Sequence, residues 1–381
     1  GSIGAIDDTN PLIQTATFTP TADTEDAINV VAVGTGWTDP NGNAPAASTD
    51  SANYAVDTRA PTVVSIILAD TALKAGETSL VTITFSEAIT AFTNADVTTI
   101  DNGTLTPVGT TDGGVTWTAT FTPTPNFEDS SNIITVTLTG LTDVAGNAGV
   151  GTSSSGSYAI DTLLPTLTAV TIESNNDVNT TAPEWAKTGD VVTLNFTSSE
   201  TITTPTVTIQ GIAATSITNP SGNNWVATRT MTGTDTEGTV LFAVDFADVA
   251  TNAGAQVTAV TSGPSVFFDR TNPSVDAGDN QEVNDEVSQD ATTSDGGSGL
   301  ATHAWTKISG PGAITFGTPA AVDTDIFANT DGTYVLRLTV TDNAGNSAFD
   351  EITFIWDTTR PEGLTSVTSN DTTGVALTAG T

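Results

Sequence analysis

The side chains in this sequence best suited to chemistry are carboxylates, and they recur in fixed phrases. One phrase opens with Asp and closes on Asn four residues later. Its copies are Asp39-Pro40-Asn41-Gly42-Asn43, Asp143-Val144-Ala145-Gly146-Asn147, Asp248-Val249-Ala250-Thr251-Asn252 and Asp342-Asn343-Ala344-Gly345-Asn346. A second phrase is an aromatic-rich stretch ending in Asp with Pro four residues on, at Asp57, Asp161, Asp269 and Asp357. Carboxylate, amide and carbonyl oxygens together are the donor set of a hard divalent cation, and calcium takes roughly 6–8 of them. Read alone, Asp-x-x-Gly-Asn is also an Asx-turn that closes a hairpin.

The charge balance points the same way. The 381 residues hold 44 acids against 8 Lys and Arg, a formal net charge of −36. Such a chain repels phosphate backbones and anionic lipid, so neither nucleic acid nor membrane insertion is expected. Unneutralised carboxylates also repel one another, and divalent cations relieve that repulsion. A solvated acidic surface suited to salty water is the plainer reading of the same composition.

Other chemistries find little support. There is no Cys, which excludes disulfides and Cys-based zinc sites. His303 is the sole histidine, beside Trp305 on a strand-like stretch, which reads as structural and excludes multi-histidine zinc sites. No Gly-x-Ser-x-Gly elbow accompanies it. Nothing singles out a carboxylate pair for glycoside hydrolysis. RTX nonapeptides and EF-hand loops are absent, as are a signal peptide and a long apolar run. The chain reads as a non-catalytic segment of something longer.

The elements that must position these acids are strands. Val81, Ile83 and Phe85 alternate with Thr82 and Thr84, and Ile134, Val136 and Leu138 alternate with threonines, the period of an antiparallel sheet with one buried face. The terminal aspartates lie 104, 108 and 88 residues apart, close to the length of an Ig domain, about 100 residues. This predicts an all-β chain of tandem Ig-like antiparallel β-sandwich modules arranged as an extended rod. The boundaries fall at 58–161, 162–269 and 270–357. Residues 1–57 read as the C-terminal part of a module, because Thr15 to Thr58 aligns with Thr118 to Thr162. Residues 358–381 read as the first strand of another, with Leu377-Thr378-Ala379-Gly380 matching Leu73-Lys74-Ala75-Gly76.

Phe85-Ser86-Glu87-Ala88-Ile89, Trp117-Thr118-Ala119-Thr120-Phe121-Thr122-Pro123, Asp143-Val144-Ala145-Gly146-Asn147 and Ile160-Asp161-Thr162 resemble the bacterial Ig-like repeats of giant RTX-like surface adhesins. The resemblance covers residues 1–269, with 162–269 more divergent: there Thr251 replaces the glycine. Asp276-Ala277-Gly278-Asp279-Asn280-Gln281, Ala304-Trp305-Thr306-Lys307-Ile308-Ser309-Gly310-Pro311-Gly312 and Leu336-Arg337-Leu338-Thr339-Val340-Thr341-Asp342 resemble a PKD-like module, another Ig-like sandwich. The resemblance implies a secreted, cell-surface location. It is specific for fold and weaker for function, since both module types also serve as spacers beside catalytic domains.

Strand order locates the carboxylates. In a seven-stranded sandwich the B–C and F–G loops share a tip with the incoming linker. Asp57 is then expected to meet Glu87, Asp143 and Asn147, with the Asn amide oxygen as a ligand. The second joint brings Asp161 to Glu200, Asp248 and Asn252. The third brings Asp269 to Asp295, Asp342 and Asn346. Asp39 and Asn43 lack an incoming Asp, and Asp357 lacks downstream partners. Trp37 falls in the slot of Leu141 and Trp356 in that of Ile160. Trp185 lies in an insertion, where it packs against a neighbouring module or contacts a ligand.

The leading expectation is a calcium-stiffened extender of a surface adhesin. Its partners would be neighbouring modules of the same chain, with a cell-surface or glycan ligand reached through other regions. Two alternatives stand beside it: a self-assembling extracellular filament or surface-layer subunit, and a carbohydrate-binding spacer of a secreted hydrolase.

Overall fold

Alternating Thr and Val, Ile or Phe makes strands with one apolar face, and such faces are stable only when covered in pairs. The computed structural model describes residues 1–10, 12–176 and 183–361. Strands dominate it; helix among the described residues is confined to one 3-10 turn, Asn94–Asp96, boxed by Thr93 and Asp96. The chain divides into two compact units. One comprises Gly1–Thr166, Glu200–Thr203 and Phe246–Ala255, the other Leu167–Ser199, Thr204–Asp245 and Gln256–Thr381.

In the first unit one antiparallel sheet runs Gly103–Leu105, Thr116–Pro123, Ser79–Phe85, Val63–Leu68. Val81, Ile83 and Phe85 are buried in its core, while Thr82 and Thr84 remain half-buried. The second layer holds Val97–Ile100, Ile134–Thr137 and Thr152–Ser154 in one group, and Ala72–Lys74, Tyr158–Asp161 and Glu128–Asn132 in another. Ala72–Lys74 runs parallel to Tyr158–Asp161; the other pairings are antiparallel. Leu73, Phe121, Ile134, Val136, Tyr158 and Ile160 join the core between the layers. Each such side chain contributes about 1.5–3 kcal/mol of burial.

Residues 1–57 repeat the C-terminal half of this pattern, and the correspondence reaches back beyond Thr15. Gly1 lies against the Phe18 ring and the Thr19 carbonyl as Gly103 lies against Phe121 and the Thr122 carbonyl. In both places a Cβ would collide. Its counterparts of the two layers are short two-stranded pairings, so Val56 is buried but most of the other core positions stay open. Trp37 is 55% exposed where Leu141 is 3% exposed, and Val33 is 55% exposed where Val136 is fully buried. The slot assigned to Trp37 is a core slot, but more than half of its side chain stays open.

The second unit contains the antiparallel sheet Leu167–Ser174, Val191–Ser198, Asn224–Thr230, Ser216–Ser221. Its second layer holds Glu184–Ala186 parallel to Val266–Phe268, and Thr206–Ile209 paired with Phe242–Asp245. Trp185 packs edge-on to Phe267, 5.0 Å between centroids. It is thus engaged within its own segment. Further on, Gln281–Val283, Ser347–Trp356, Gly332–Asp342 and Leu300–Ser309 form a sheet. Val287–Gln289, Thr324–Ala328 and Ile314–Phe316 form the opposing one, and Tyr334, Leu336, Leu338, Val340, Phe354 and Ile326 share the core. The fold is all-β, a tandem of Ig-like antiparallel sandwiches. The strand expected over 358–381 lies outside the described residues from 362 onward.

Candidate metal centres

The Asp-Thr pair at the end of a last strand has two tasks. Thr58 faces back: its Oγ1 donates to the Thr21 carbonyl (2.7 Å) and accepts from the Thr24 N–H (3.0 Å). Thr162 does the same with the Thr124 carbonyl (2.7 Å) and the Phe127 N–H (3.0 Å). The Asp then turns the chain. Asp57 Oδ1 accepts from the Arg59 N–H (3.1 Å), Asp269 Oδ1 from Thr271 (3.0 Å) and Asp357 Oδ1 from Thr359 (2.9 Å). One carboxylate oxygen is spent on this Asx-turn.

The Asp-to-Asn loops share one geometry. Asp143 Oδ1 accepts from the Asn147 N–H (2.8 Å) and Oδ2 from Asn147 Nδ2 (2.8 Å). Asp248 with Asn252, Asp342 with Asn346, and Asp39 with Asn43 repeat both bonds at 2.8–2.9 Å. The turn needs a positive φ before the Asn, supplied by Gly42 (85°), Gly146 (93°) and Gly345 (82°). Thr251 adopts φ 74° without that freedom, and its Oγ1 accepts from Lys74 Nζ at 2.7 Å.

Three groups of carboxylates result. Asp57 meets Glu87 and Asp143, Asp161 meets Glu200 and Asp248, and Asp269 meets Asp295 and Asp342. In each group ligand oxygens lie within 4.8 Å of one another. Burial, then the charges of Asp143 and Asp57, hold the Glu87 carboxyl above its ordinary value. Glu200 is raised by burial and then by Asp161 and Asp248. Asp161 is raised by burial, Asp248 and Glu128. For Asp143 burial acts upward, but the hydrogen bonds from Asn147 prevail and lower it. At the third group Asp269 and Asp342 are fully buried. Asp269 Oδ2 accepts from the Ser298 N–H (2.6 Å), and Gly297 packs so close to Asp269 that a Cβ would strike its carboxylate. Asp295 Oδ2 takes the Gly299 and Gly297 N–H groups (2.6 and 3.1 Å), while its Oδ1 is buried with no hydrogen-bond partner.

The asparagines depart from their expected role. Asn147, Asn252 and Asn346 turn Nδ2, not Oδ1, toward the carboxylates. An amide oxygen there would face negative oxygens, whereas the NH2 donates to them. Glu25 and Glu128 went unnoticed in the sequence. Each sits directly across the strand pair from the linker aspartate, Glu25 opposite Asp57 and Glu128 opposite Asp161. The repeated Glu-Asp dipeptide at 25–26 and 128–129 carried that signal. Successive segments also touch directly: the Ala75 N–H donates to Asn252 Oδ1 (2.8 Å), and Asn176 Nδ2 to the Ala344 carbonyl (2.7 Å). His303 Nε2 lies 3.1 Å from Thr293 Oγ1 and belongs to none of the three groups.

Residues 57–160 match the model of a bacterial Ig-like domain, and residues 277–355 match that of a PKD domain. The first match begins at Asp57 and ends at Ile160, so Asp57 opens it and Glu87 and Asp143 lie within it. No curated protein matches the chain. Among solved structures, a mutated three-Ig segment of titin is 11% identical at TM-score 0.40, covering 78% of this chain and 99% of the titin chain. A marsupial T cell receptor is 10% identical at TM-score 0.33, with 76% and 99% covered. Dimeric latent PorU from Porphyromonas gingivalis is 10% identical at TM-score 0.21, with 80% of this chain and 35% of PorU covered. Among the described residues no helix is long and apolar enough to cross a membrane.

Proposed function

We propose that the chain is a non-catalytic extender segment of a secreted bacterial surface adhesin, and that calcium stiffens its joints. The observation that carries this reading is the threefold recurrence of a carboxylate group at a linker, each joining a strand-terminal Asp to loop acids of the following segment. The donors are all oxygen, which suits a hard cation and disfavours soft transition metals. Three ionised carboxylates in so small a space repel one another, and a divalent cation turns that repulsion into attraction. The buried, unpartnered Asp295 Oδ1 fits the same role at the third joint.

Asp57, Glu87 and Asp143 would hold the ion at the first joint, Asp161, Glu200 and Asp248 at the second, and Asp269, Asp295 and Asp342 at the third. Because each linker Asp ends a strand of the preceding sheet, an ion bound there ties two segments together. Extracellular calcium modules have dissociation constants of roughly 0.1–1 mM. The test is a calcium titration of the intact chain followed by calorimetry with and without EDTA. Chelation is expected to lower Tm and to speed protease cutting at 57–61, 161–165 and 269–273. Unchanged melting and cleavage in EDTA would leave the Asp-to-Asn phrases as turns only.

A further inference from the structure

We infer that Asn147, Asn252 and Asn346 are positioning residues that latch each linker aspartate to the following segment with no cation required. An amide nitrogen carries two N–H donors. One goes to the aspartate of its own loop. The other reaches the backbone carbonyl of the linker aspartate: Asp57 at 3.2 Å, Asp161 at 2.9 Å and Asp269 at 3.0 Å. At the first two joints Nδ2 also lies within reach of the linker carboxylate, 3.2 Å from Asp57 Oδ1 and 3.4 Å from Asp161 Oδ1. The NH2 group thus sits between oxygens of two segments and draws both toward it.

The molecule contains its own control. The Asp39–Asn43 loop meets no incoming aspartate, yet Asn43 makes the same two bonds to Asp39, at 2.8 and 2.9 Å. The loop geometry therefore belongs to the five residues themselves, and the second Nδ2 donor is aimed before any linker arrives. Asn252 goes further, because its Oδ1 accepts from the Ala75 N–H at 2.8 Å. Its amide holds the linker, its own loop and the preceding segment at once. This deepens the reading of the joints but stands apart from calcium, since every bond in it is between protein groups.

The experiment is Asn252→Asp in the full chain, read in EDTA by hydrogen exchange at the Leu163 amide, whose N–H donates to the Asp161 carboxylate. The substitution keeps the shape and the main-chain bond to Asp248 but removes both Nδ2 donors. Loss of a latch of one net hydrogen bond is expected to speed exchange at Leu163 about tenfold. If Asn252 instead serves as a calcium ligand through Oδ1, exchange in EDTA stays unchanged and only calcium affinity moves; that result overturns the latch. Asn252→Leu, which removes the same donors without adding charge beside Asp161 and Asp248, is expected to speed exchange at Leu163 as well, and unchanged exchange in it would reduce the Asn252→Asp effect to added charge and overturn the latch. Asn147→Asp and Asn346→Asp, read at the Arg59 and Thr271 amides, decide the matter should the Asn252 variant fail to fold. Failure of the calcium titration leaves this test intact, and failure here leaves the titration intact.

Discussion

Glu87, Glu200, Asp161 and Asp342 all bind their protons more tightly in the folded chain than carboxylates ordinarily do, burial being the largest cause in each. At Asp342 the hydrogen bonds from Asn346 oppose the rise before Asp269 and Asp295 add to it, and at Asp161 a weaker one from the Leu163 N–H opposes it. A raised carboxylate makes the folded state the better proton binder, so stability falls as pH climbs through the raised values and returns on acidification. Asp143 has the opposite sign, its contribution being lost as pH falls, but only below the ordinary carboxylate range, so the two windows do not overlap. A cation demands the deprotonated groups and competes with protons for them. In EDTA, Tm is therefore expected to rise as pH is lowered from neutral toward the ordinary carboxylate range. In saturating calcium it is expected to fall over the same range. Parallel slopes in calorimetry under the two conditions would separate these carboxylates from cation binding.

At the scale of the element, each joint is a strand end facing a loop, and the loops are not interchangeable. The first two use a Glu, the third an Asp set in Asp295-Gly296-Gly297-Ser298-Gly299. The shorter side chain reaches the group because Gly297 lets the loop backbone close onto Asp269. Gly297→Ala forces that contact open and is expected to cost about 1–3 kcal/mol. On the proposed function it should also weaken calcium binding at the third joint while sparing the other two. Denaturant unfolding together with a calcium titration checks both halves; an unperturbed third joint would mean that the loop has room the packing does not suggest. The linker threonines explain why Asp-Thr recurs: Thr58 and Thr162 hold the strand end to the preceding loop so that the Asp is delivered at a set angle.

At the scale of the molecule, the net charge of −36 sets the background against which any joint must close. Screening by salt weakens repulsion over a Debye length of about 8–10 Å but bridges nothing. On the proposed function, calcium at about 100-fold over its dissociation constant would add about 2.7 kcal/mol per independent site. On the proposed function, chelation shortens the maximum dimension in small-angle scattering, calcium restores it, and sodium chloride of equal ionic strength does not. Recovery with sodium chloride alone would point to general electrostatics in place of specific sites.

Much of this was legible in the sequence. Period-two alternation, a repeat near 100 residues and the Asp-to-Asn phrases suffice for an all-β tandem, and strand order in a sandwich suffices to gather Asp57 with Glu87 and Asp143. These are local or topological facts, set by side-chain alternation and by which loops share a tip. What only tertiary structure decided is direction and cover. Which end of Asn147 faces the carboxylates depends on the field of the acids around it, because the two ends of an amide differ only in donor and acceptor. The nearness of Glu25 and Glu128 depends on strand register, since a shift of one residue would point them to the other face. Trp37 occupies a core position in sequence yet remains exposed, because burial depends on the strands packed over a position and not on the position's own segment.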